Sequence, residues 1–82
     1  MNWTHLKTLL ALYEEGSMLA AAKKVGVEHT TISRQIRSLE KDIGYSLITP
    51  PNKLTAAALQ IVPAIKAMQR LSNEIEKEIE NE

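Results

Sequence analysis

The stretch "EHTTISRQIRSLEKDIG", residues 28–44, has the pattern of an amphipathic helix. Its apolar side chains recur at helical spacing and predict one buried face, formed by Ile32, Ile36, Leu39 and Ile43. The glycine that closes the stretch is a typical helix end. Residues 28–44 are therefore predicted to form a helix that packs one face on a core.

The face opposite the apolar residues carries cations and no acids. At about 100° per residue, one row of side chains points away from the buried face: Thr30, Arg34, Arg37 and Lys41. Like charges at these spacings destabilise a helix by roughly a few tenths of a kcal/mol per pair. The row is either a solvated helix face or a surface whose counter-anion is a ligand, such as a DNA phosphate or a guanine edge. Solvated faces usually interleave both signs, which favours the second interpretation.

Charge is distributed unevenly along a chain of 82 residues that has zero net charge. Residues 1–70 carry nine Lys and Arg against five acids, which gives +4. Residues 71–82 carry one Lys against five Glu, which gives −4. The neutral total therefore conceals a basic body with an acidic tail, and it does not argue against a nucleic-acid partner.

Several other classes of protein are disfavoured by composition. The chain has no Cys, which excludes disulfides and thiolate metal sites. His5 and His29 are its only histidines, on separate predicted helices, and no Gly-rich phosphate loop or nucleophile motif is present. No apolar run approaches a signal peptide or a span of about 20 residues. We expect one small soluble intracellular domain, not an enzyme, with no metal, cofactor or membrane partner.

Two further helices are predicted before residue 28. The first carries one apolar face, formed by Trp3, Leu6, Leu9, Leu10 and Tyr13, and Gly16 ends it. Both aromatic residues are interpreted as core residues. Ser17 has the chemistry to cap the next helix, which ends at Gly26. A short Gly-containing turn between two helices indicates a helix-turn-helix.

Beyond residue 44 the pattern changes twice. Pro50 and Pro51 forbid a helix, and "SLIT" (46–49) and "KLT" (53–55) predict two short strands around a tight connection. Helical periodicity then returns from about Ala56 to Glu80. The predicted class is mainly all-α: a three-helix core, a short hairpin, and one long C-terminal helix. Residues 1–55 are expected to form the first domain and residues 56–82 the long helix.

The long helix has a heptad-like seam, formed by Leu54, Ala58, Ile61, Ile65, Met68, Ser72, Ile75 and Ile79. The seam either packs on the chain's own core, as expected for its first two turns, or pairs with another helix. Beyond residue 70 the helix outruns so small a body. We therefore predict a two-fold homodimer whose interface contains Ile61, Ile65, Met68, Ile75 and Ile79.

Residues 16–48 resemble a known family of proteins. "GSMLAAAKKVGVEHTTISRQIRSLEKDIGYSLI" (16–48) is similar to the N-terminal DNA-binding segment of LysR-type transcriptional regulators, and the likeness runs from about Met1 to Leu47 and more loosely through "LTAAALQIVP". The resemblance implies a winged helix-turn-helix, with the third helix in the major groove and the long helix pairing two chains. It places Thr30, Thr31, Ser33 and Arg34 at DNA-contacting positions and Ser17 at a phosphate-contacting position.

The residues themselves agree with these assignments. Thr30, Thr31 and Ser33 are short hydrogen-bonding residues near a helix start, suited to phosphates or base edges. Helical periodicity alone already turns Arg34 outward, and Ser17 opens a helix whose amides could meet a phosphate. The predicted DNA contacts are Ser17, His29, Thr30, Thr31, Ser33, Arg34, Arg37, Lys41 and Lys53, with the recognition helix at 29–42.

The chain also departs from the usual form of the family. Glu28 stands where a capping Ser is usual, and His29 replaces the following Gln. Ile48 and Pro50 replace the Phe and Arg expected after the third helix. The wing is about three residues shorter than usual, with Lys53 as its only cation. The sequence holds no counterpart of the family's effector-binding domain, which fits either a fragment of a longer regulator or a stand-alone protein. No small-molecule effector is expected on this chain.

Two functions remain open from the sequence. The first is a dimeric transcriptional regulator that binds double-stranded DNA at an inverted repeat, in the bacterial cytoplasm and associated with the nucleoid. The second is an interaction module whose long helix pairs with full-length regulators and titrates them, with weak or no DNA binding. Glu28 and the short wing favour the second, whereas the acid-free row favours the first.

Overall fold

The fold is seen in a computed structural model that describes residues 1–50 and 53–80. Within these residues, four helices and a two-stranded antiparallel hairpin follow one another as α1 (Trp3–Glu15), α2 (Met18–Val25), α3 (His29–Ile43), β1 (Ile48–Thr49), β2 (Lys53–Leu54) and α4 (Ala56–Glu80). This order confirms the predicted winged helix-turn-helix with one long C-terminal helix. Helix α3 extends one residue beyond the predicted end at 42. Pro51 and Glu82, which contributed to the predicted chain break and acidic tail, lie outside the described residues.

The helix ends follow from local side-chain and backbone chemistry. The Ser17 hydroxyl accepts a hydrogen bond from the Ala20 amide at 3.1 Å, which confirms the predicted cap of α2. The Asn2 carboxamide oxygen accepts one from the Thr4 amide at 2.7 Å and caps α1. Gly26 has a left-handed φ of 83°, and its amide donates to the Ala22 carbonyl at 2.8 Å. This ending lets the chain turn from α2 into α3 within three residues.

Helix α1 lies at the centre of the bundle, in contact with α2, α3 and α4. The main core combines apolar residues from all four helices and the segment after α3: Leu6, Leu9, Leu10, Ala22, Ile32, Ile36, Leu39, Leu47, Ala58, Val62 and Ile65. The first turns of α4 thus belong to the same core as residues 1–55. The predicted division at residue 55 separates a strand from a helix, but it does not separate two cores.

The prediction that Tyr13 belongs to the core is wrong. Its side chain is 41% exposed, and the Lys66 amine lies over its ring, 4.9 Å from the ring centroid. Trp3, by contrast, is partly buried against the main core as predicted. Tyr13 sits near the end of α1 where α4 crosses, so one side of its ring meets a cation rather than apolar side chains.

The wing is a minimal hairpin. Ile48 pairs with Leu54 and Thr49 with Lys53, so each strand contributes two residues. Leu47, immediately before β1, is completely buried in the main core. The wing is therefore anchored to the body by an apolar residue at its start.

Helix α4 presents two different apolar faces. Ala58, Val62 and Ile65 are buried against the body. About a quarter of a turn away, at about 100° per residue, runs an exposed apolar stripe of Ala64, Met68, Leu71, Ile75 and Ile79. The predicted seam had merged these two faces into one.

Ile65 consequently leaves the predicted dimer interface. It is 1% exposed within its own chain, so its side chain has no surface left for a second chain. Ile61 is half-buried and packs on the edge of the core. Met68, Ile75 and Ile79 remain exposed, as expected for a helix that outruns its body. In the described part of the chain, no helix is both long enough and apolar enough to cross a membrane.

Candidate nucleic-acid interface

The cationic row of α3 lies on the surface of the molecule. Thr30, Arg34, Arg37 and Lys41 are all exposed, while Ile32, Ile36 and Leu39 on the opposite face are buried. The burial of those three residues fixes the rotation of α3, and so directs the row outward. The structure thus brings together three of the predicted cations along one straight helix face.

The cations of this row have no acidic partner in the described part of the chain, where no ion pair within 4.0 Å involves Arg34, Arg37 or Lys41. Lys24 behaves differently, because its amine lies 3.4 Å from a Glu15 oxygen and 3.6 Å from a Glu14 oxygen. The hydrogen bond to Glu15 and the charge of Glu14 raise the pKa of the Lys24 amine. The positive charge of Lys24 is therefore paired with acids of its own chain, whereas the row of α3 is available to an external anion.

A groove of about 270 Å³ runs beside the row, between the start of α2, helix α3 and the wing. Its lining is Met18, Ser33, Ile36, Arg37, Glu40, Ile48 and Pro50. Ser33 is half-buried within this groove and Arg37 stands at its edge. Thr31 is half-buried as well, on the other flank of α3. These two hydroxyl residues are less accessible than the row between them.

The predicted contacts outside the row surround it on different elements. Ser17 is exposed at the start of α2, where its hydroxyl oxygen caps the helix. His29 is exposed at the first residue of α3. Glu28 is exposed just before it and makes no side-chain capping hydrogen bond. Lys53 is exposed on β2, apart from the row.

Two side chains of α3 fix its position, and the sequence patterns had not revealed either. Gln35 lies in hydrogen-bond contact with the hydroxyl of Thr8, which is 1% exposed inside the bundle. Glu40 accepts a hydrogen bond from the Leu47 amide at 2.7 Å. The only sequence signal was the position of Gln35 and Glu40 on the two margins of the buried face.

Comparison with known proteins identifies the class to which this fold belongs. Residues 3–60 match the family described as "bacterial regulatory helix-turn-helix protein, lysR family". Because this match covers more than half of the 82 residues, the chain belongs to the LysR family of bacterial helix-turn-helix proteins. The family resemblance and the winged helix-turn-helix predicted from the sequence are both confirmed.

Two curated relatives are named as regulators. The chain is 38% identical over 68 residues to a probable nitrogen assimilation transcriptional activator of Synechococcus elongatus, which covers 80% of this chain and 22% of that protein. It is 36% identical over 78 residues to the HTH-type transcriptional regulator MetR of Haemophilus influenzae, covering 92% of this chain and 23% of MetR. The chain thus spans about a quarter of the length of these relatives.

A solved structure gives the comparison that bears on the surface. The DNA-binding domain of CbnR, crystallised in complex with DNA, superposes on this chain with a TM-score of 0.89 at 30% identity. The match covers 99% of this chain and 97% of that one. The fold seen here is therefore one that, in CbnR, occurs bound to DNA.

Proposed function

We propose that this chain is a sequence-specific DNA-binding transcriptional regulator that acts as a dimer on an inverted repeat. The observation that carries the proposal is the exposed row of Arg34, Arg37 and Lys41, which has no acidic partner among residues 1–50 and 53–80. The phosphate backbone is an anion that such a row of cations can contact, and it dominates protein–DNA affinity. The superposition on the DNA complex of CbnR supports the same partner.

In the proposed complex, α3 enters the major groove as the recognition helix. Arg34 reads a base edge, and Arg37 and Lys41 contact phosphates on its flanks. His29, Thr30, Thr31 and Ser33 contribute short polar contacts near the helix start. Ser17 contacts a phosphate from the start of α2, and Lys53 does so from the wing.

The second chain is proposed to bind the apolar stripe of α4. Met68, Ile75 and Ile79 are exposed at 43%, 62% and 66%, which is unusual for side chains repeated at helical spacing on one face. Pairing two such helices covers both stripes at once, as a two-fold interface requires. Two recognition helices then occupy successive major grooves about 34 Å apart or more, so that the site is an inverted repeat.

Fluorescence anisotropy with a labelled random-sequence duplex tests DNA binding. The wild-type chain should bind at low salt and weaken as salt rises, because binding releases counterions. A preferred site is then selected from a random library and used to compare Arg34→Ala with Arg70→Ala. Loss of a base-edge contact should weaken the DNA binding of Arg34→Ala by about 1–3 kcal/mol. The DNA binding of Arg70→Ala should stay at the wild-type level. Arg70 is the matched control, since it is an exposed Arg outside the row.

Two results of this experiment would contradict the proposal. Absence of binding even at low salt would remove DNA as the partner of the row. Equal affinity of Arg34→Ala and wild type for the selected site would remove Arg34 from base reading.

A second candidate function is supported by a different observation. Glu28 is exposed beside the recognition helix start, where its charge opposes phosphate approach, and the wing contributes only two residues to each strand. A chain that bound DNA poorly could still pair through the stripe of α4 with full-length regulators and titrate them. Formation of such heterodimers without measurable DNA affinity would select this function over the first.

A further inference from the structure

Leu47 connects the recognition helix to the long helix through its main chain. Its amide donates to the Glu40 carboxylate of α3 at 2.7 Å. Its carbonyl accepts a hydrogen bond from the amide of Thr55, the residue before α4, at 3.0 Å. Since the Leu47 side chain is completely buried, this residue cannot shift without disturbing the core. The main-chain amide and carbonyl of this one buried residue are therefore bonded to a residue within α3 and to the residue that precedes α4.

The Glu40 carboxylate lies within hydrogen-bond distance of three groups in residues 46–48. The same oxygen that receives the Leu47 amide lies 3.4 Å from the Ile48 amide and 3.5 Å from the Ser46 hydroxyl. Hydrogen bonds to a carboxylate are stronger than those between neutral groups. Arg37, one turn away, forms no ion pair with Glu40 within 4.0 Å among the described residues. Glu40 thus holds the start of the wing and leaves the neighbouring cation of the row free.

The Thr55 hydroxyl holds the same segment from the other side. It donates to the Ser46 carbonyl at 2.7 Å and accepts from the Ala58 amide at 3.2 Å. The second bond caps the first turn of α4. One side chain therefore ties the start of the long helix to the segment that Glu40 ties to α3.

The backbones of α3 and α4 approach each other closely at few points, although both helices contact α1 and contribute side chains to the main core. The path Glu40–Leu47–Thr55 is thus a short polar link between the end of α3 and the start of α4. A small change at this link displaces the far end of α4. A rotation of about 10° at one end of a helix roughly 37 Å long moves the other end by about 6 Å. That displacement approaches two base-pair steps at about 3.4 Å each.

We propose that Glu40 and Thr55 are positioning residues that fix α4 against α3, and so set the distance between the two recognition helices of the dimer. The inference rests on the proposed binding of a dimer to an inverted repeat. Neither residue is assigned a contact with DNA. Their effect is on which spacing of half-sites the dimer accepts.

The test compares affinities for inverted repeats that differ in spacer length by single base pairs. Half-sites come from selection on a random-sequence library, and a duplex with one half-site serves as a reference. Wild type should prefer one spacer. In Glu40→Ala the preference should fall by about tenfold, the equivalent of one lost hydrogen bond of about 1.4 kcal/mol. Affinity for the single half-site should change by less than about twofold, since the base contacts remain.

Three variants separate geometry from charge and from general damage. Glu40→Gln keeps an acceptor for the Leu47 amide and should retain the spacer preference. Thr55→Val keeps the shape but removes both hydroxyl bonds, and it should lose the preference as Glu40→Ala does. Thr55→Ser keeps the hydroxyl and should behave as wild type. If Glu40→Ala fails to fold, which loss of half-site binding and of the cooperative thermal transition would show, Thr55→Val carries the test.

The possible failures are distinguishable. A wild-type chain that binds single half-sites but shows no spacer preference overturns the dimer proposal and this inference with it. A wild-type preference that persists unchanged in Thr55→Val overturns only this inference. A preference that Glu40→Gln loses as fully as Glu40→Ala also overturns it, because the carboxylate charge would then matter rather than the hydrogen-bonded position.

Discussion

The hydroxyl of Thr8 and the side-chain amide of Gln35 meet inside the helical bundle and join α1 to the recognition helix. The same hydroxyl lies 3.0 Å from the Thr4 carbonyl, one turn earlier in α1. Thr8 is the buried polar side chain of a core that is otherwise apolar in the described residues. This contact sets the rotation of α3 from its margin, in addition to the burial of Ile32 and Leu39.

Thr8→Val should destabilise the fold by about 1–3 kcal/mol, because an isosteric apolar side chain leaves the Gln35 amide without its partner. Urea unfolding followed by circular dichroism measures the loss. The double variant Thr8→Val, Gln35→Met replaces both partners and should recover most of the stability. A single variant as stable as wild type would show that the contact contributes nothing net.

Ser17 has a structural role and a proposed binding role, and two substitutions separate them. Ser17→Ala should cost about 0.5–2 kcal/mol of stability through loss of the α2 cap. Ser17→Asp keeps a capping acceptor, so its stability should stay near that of wild type. Its new charge should nevertheless weaken DNA binding if a phosphate lies there. Unchanged DNA affinity in Ser17→Asp would place the phosphate elsewhere.

Lys41→Gln should reduce the salt dependence of DNA binding more than it alters sequence preference. The logarithm of the binding constant falls linearly with the logarithm of salt concentration, and loss of one phosphate contact makes this fall less steep by about 0.9. Lys77→Gln is the matched control, since Lys77 is exposed on the distal part of α4. Equal slopes for both variants would exclude Lys41 from the phosphate contacts.

Ile75→Asp should raise the dimer dissociation constant by more than about tenfold, because pairing would bury an unpaired carboxylate. Asn73→Asp introduces the same charge two residues away, outside the stripe, and should change dimerisation little. Sedimentation equilibrium distinguishes the two variants. Truncation after Gln69, which removes Leu71, Ile75 and Ile79, should weaken the dimer as well. Dimers of undiminished strength in both Ile75→Asp and the truncated chain would remove the distal stripe from the interface.

The parts of the fold that follow from local chemistry could be predicted from the sequence. The periodicity of α3, the cap at Ser17 and the turn at Gly26 depend on neighbours within about one helical turn. The exposed row on α3 follows from the same periodicity. These features need no knowledge of the rest of the chain.

The wrong predictions concern which part of the molecule each helix face contacts. A heptad pattern in α4 gives the angle of each apolar residue, but not whether that angle points at the body or at solvent. The pattern therefore puts Ile65 and Met68 in one seam, although the structure buries the first and exposes the second. The prediction of Tyr13 as a core residue is wrong for a similar reason, because periodicity does not show where α4 crosses α1.

Glu40 illustrates a different limit. Its role depends on the path of residues 44–48 after the helix ends, since only that path brings the Leu47 amide to 2.7 Å. A carboxylate on the margin of a helix has the same sequence pattern whether it is solvated or bonded to a distant amide. Glu40 could therefore be located on α3 from the sequence, but its partner could not.

The separation of charge along the molecule makes this neutral chain a large electric dipole. The cations of the row lie on α3, while Glu74, Glu76, Glu78 and Glu80 lie on the distal part of α4, in a molecule 47 Å long. A distant polyanion exerts little net attraction on such a molecule, but its field exerts a torque that turns the cationic end toward it. The torque acts within a screening length of about 8–10 Å at physiological salt. Orientation during the last nanometre of approach, rather than long-range attraction, should thus govern how quickly this chain meets an anionic surface.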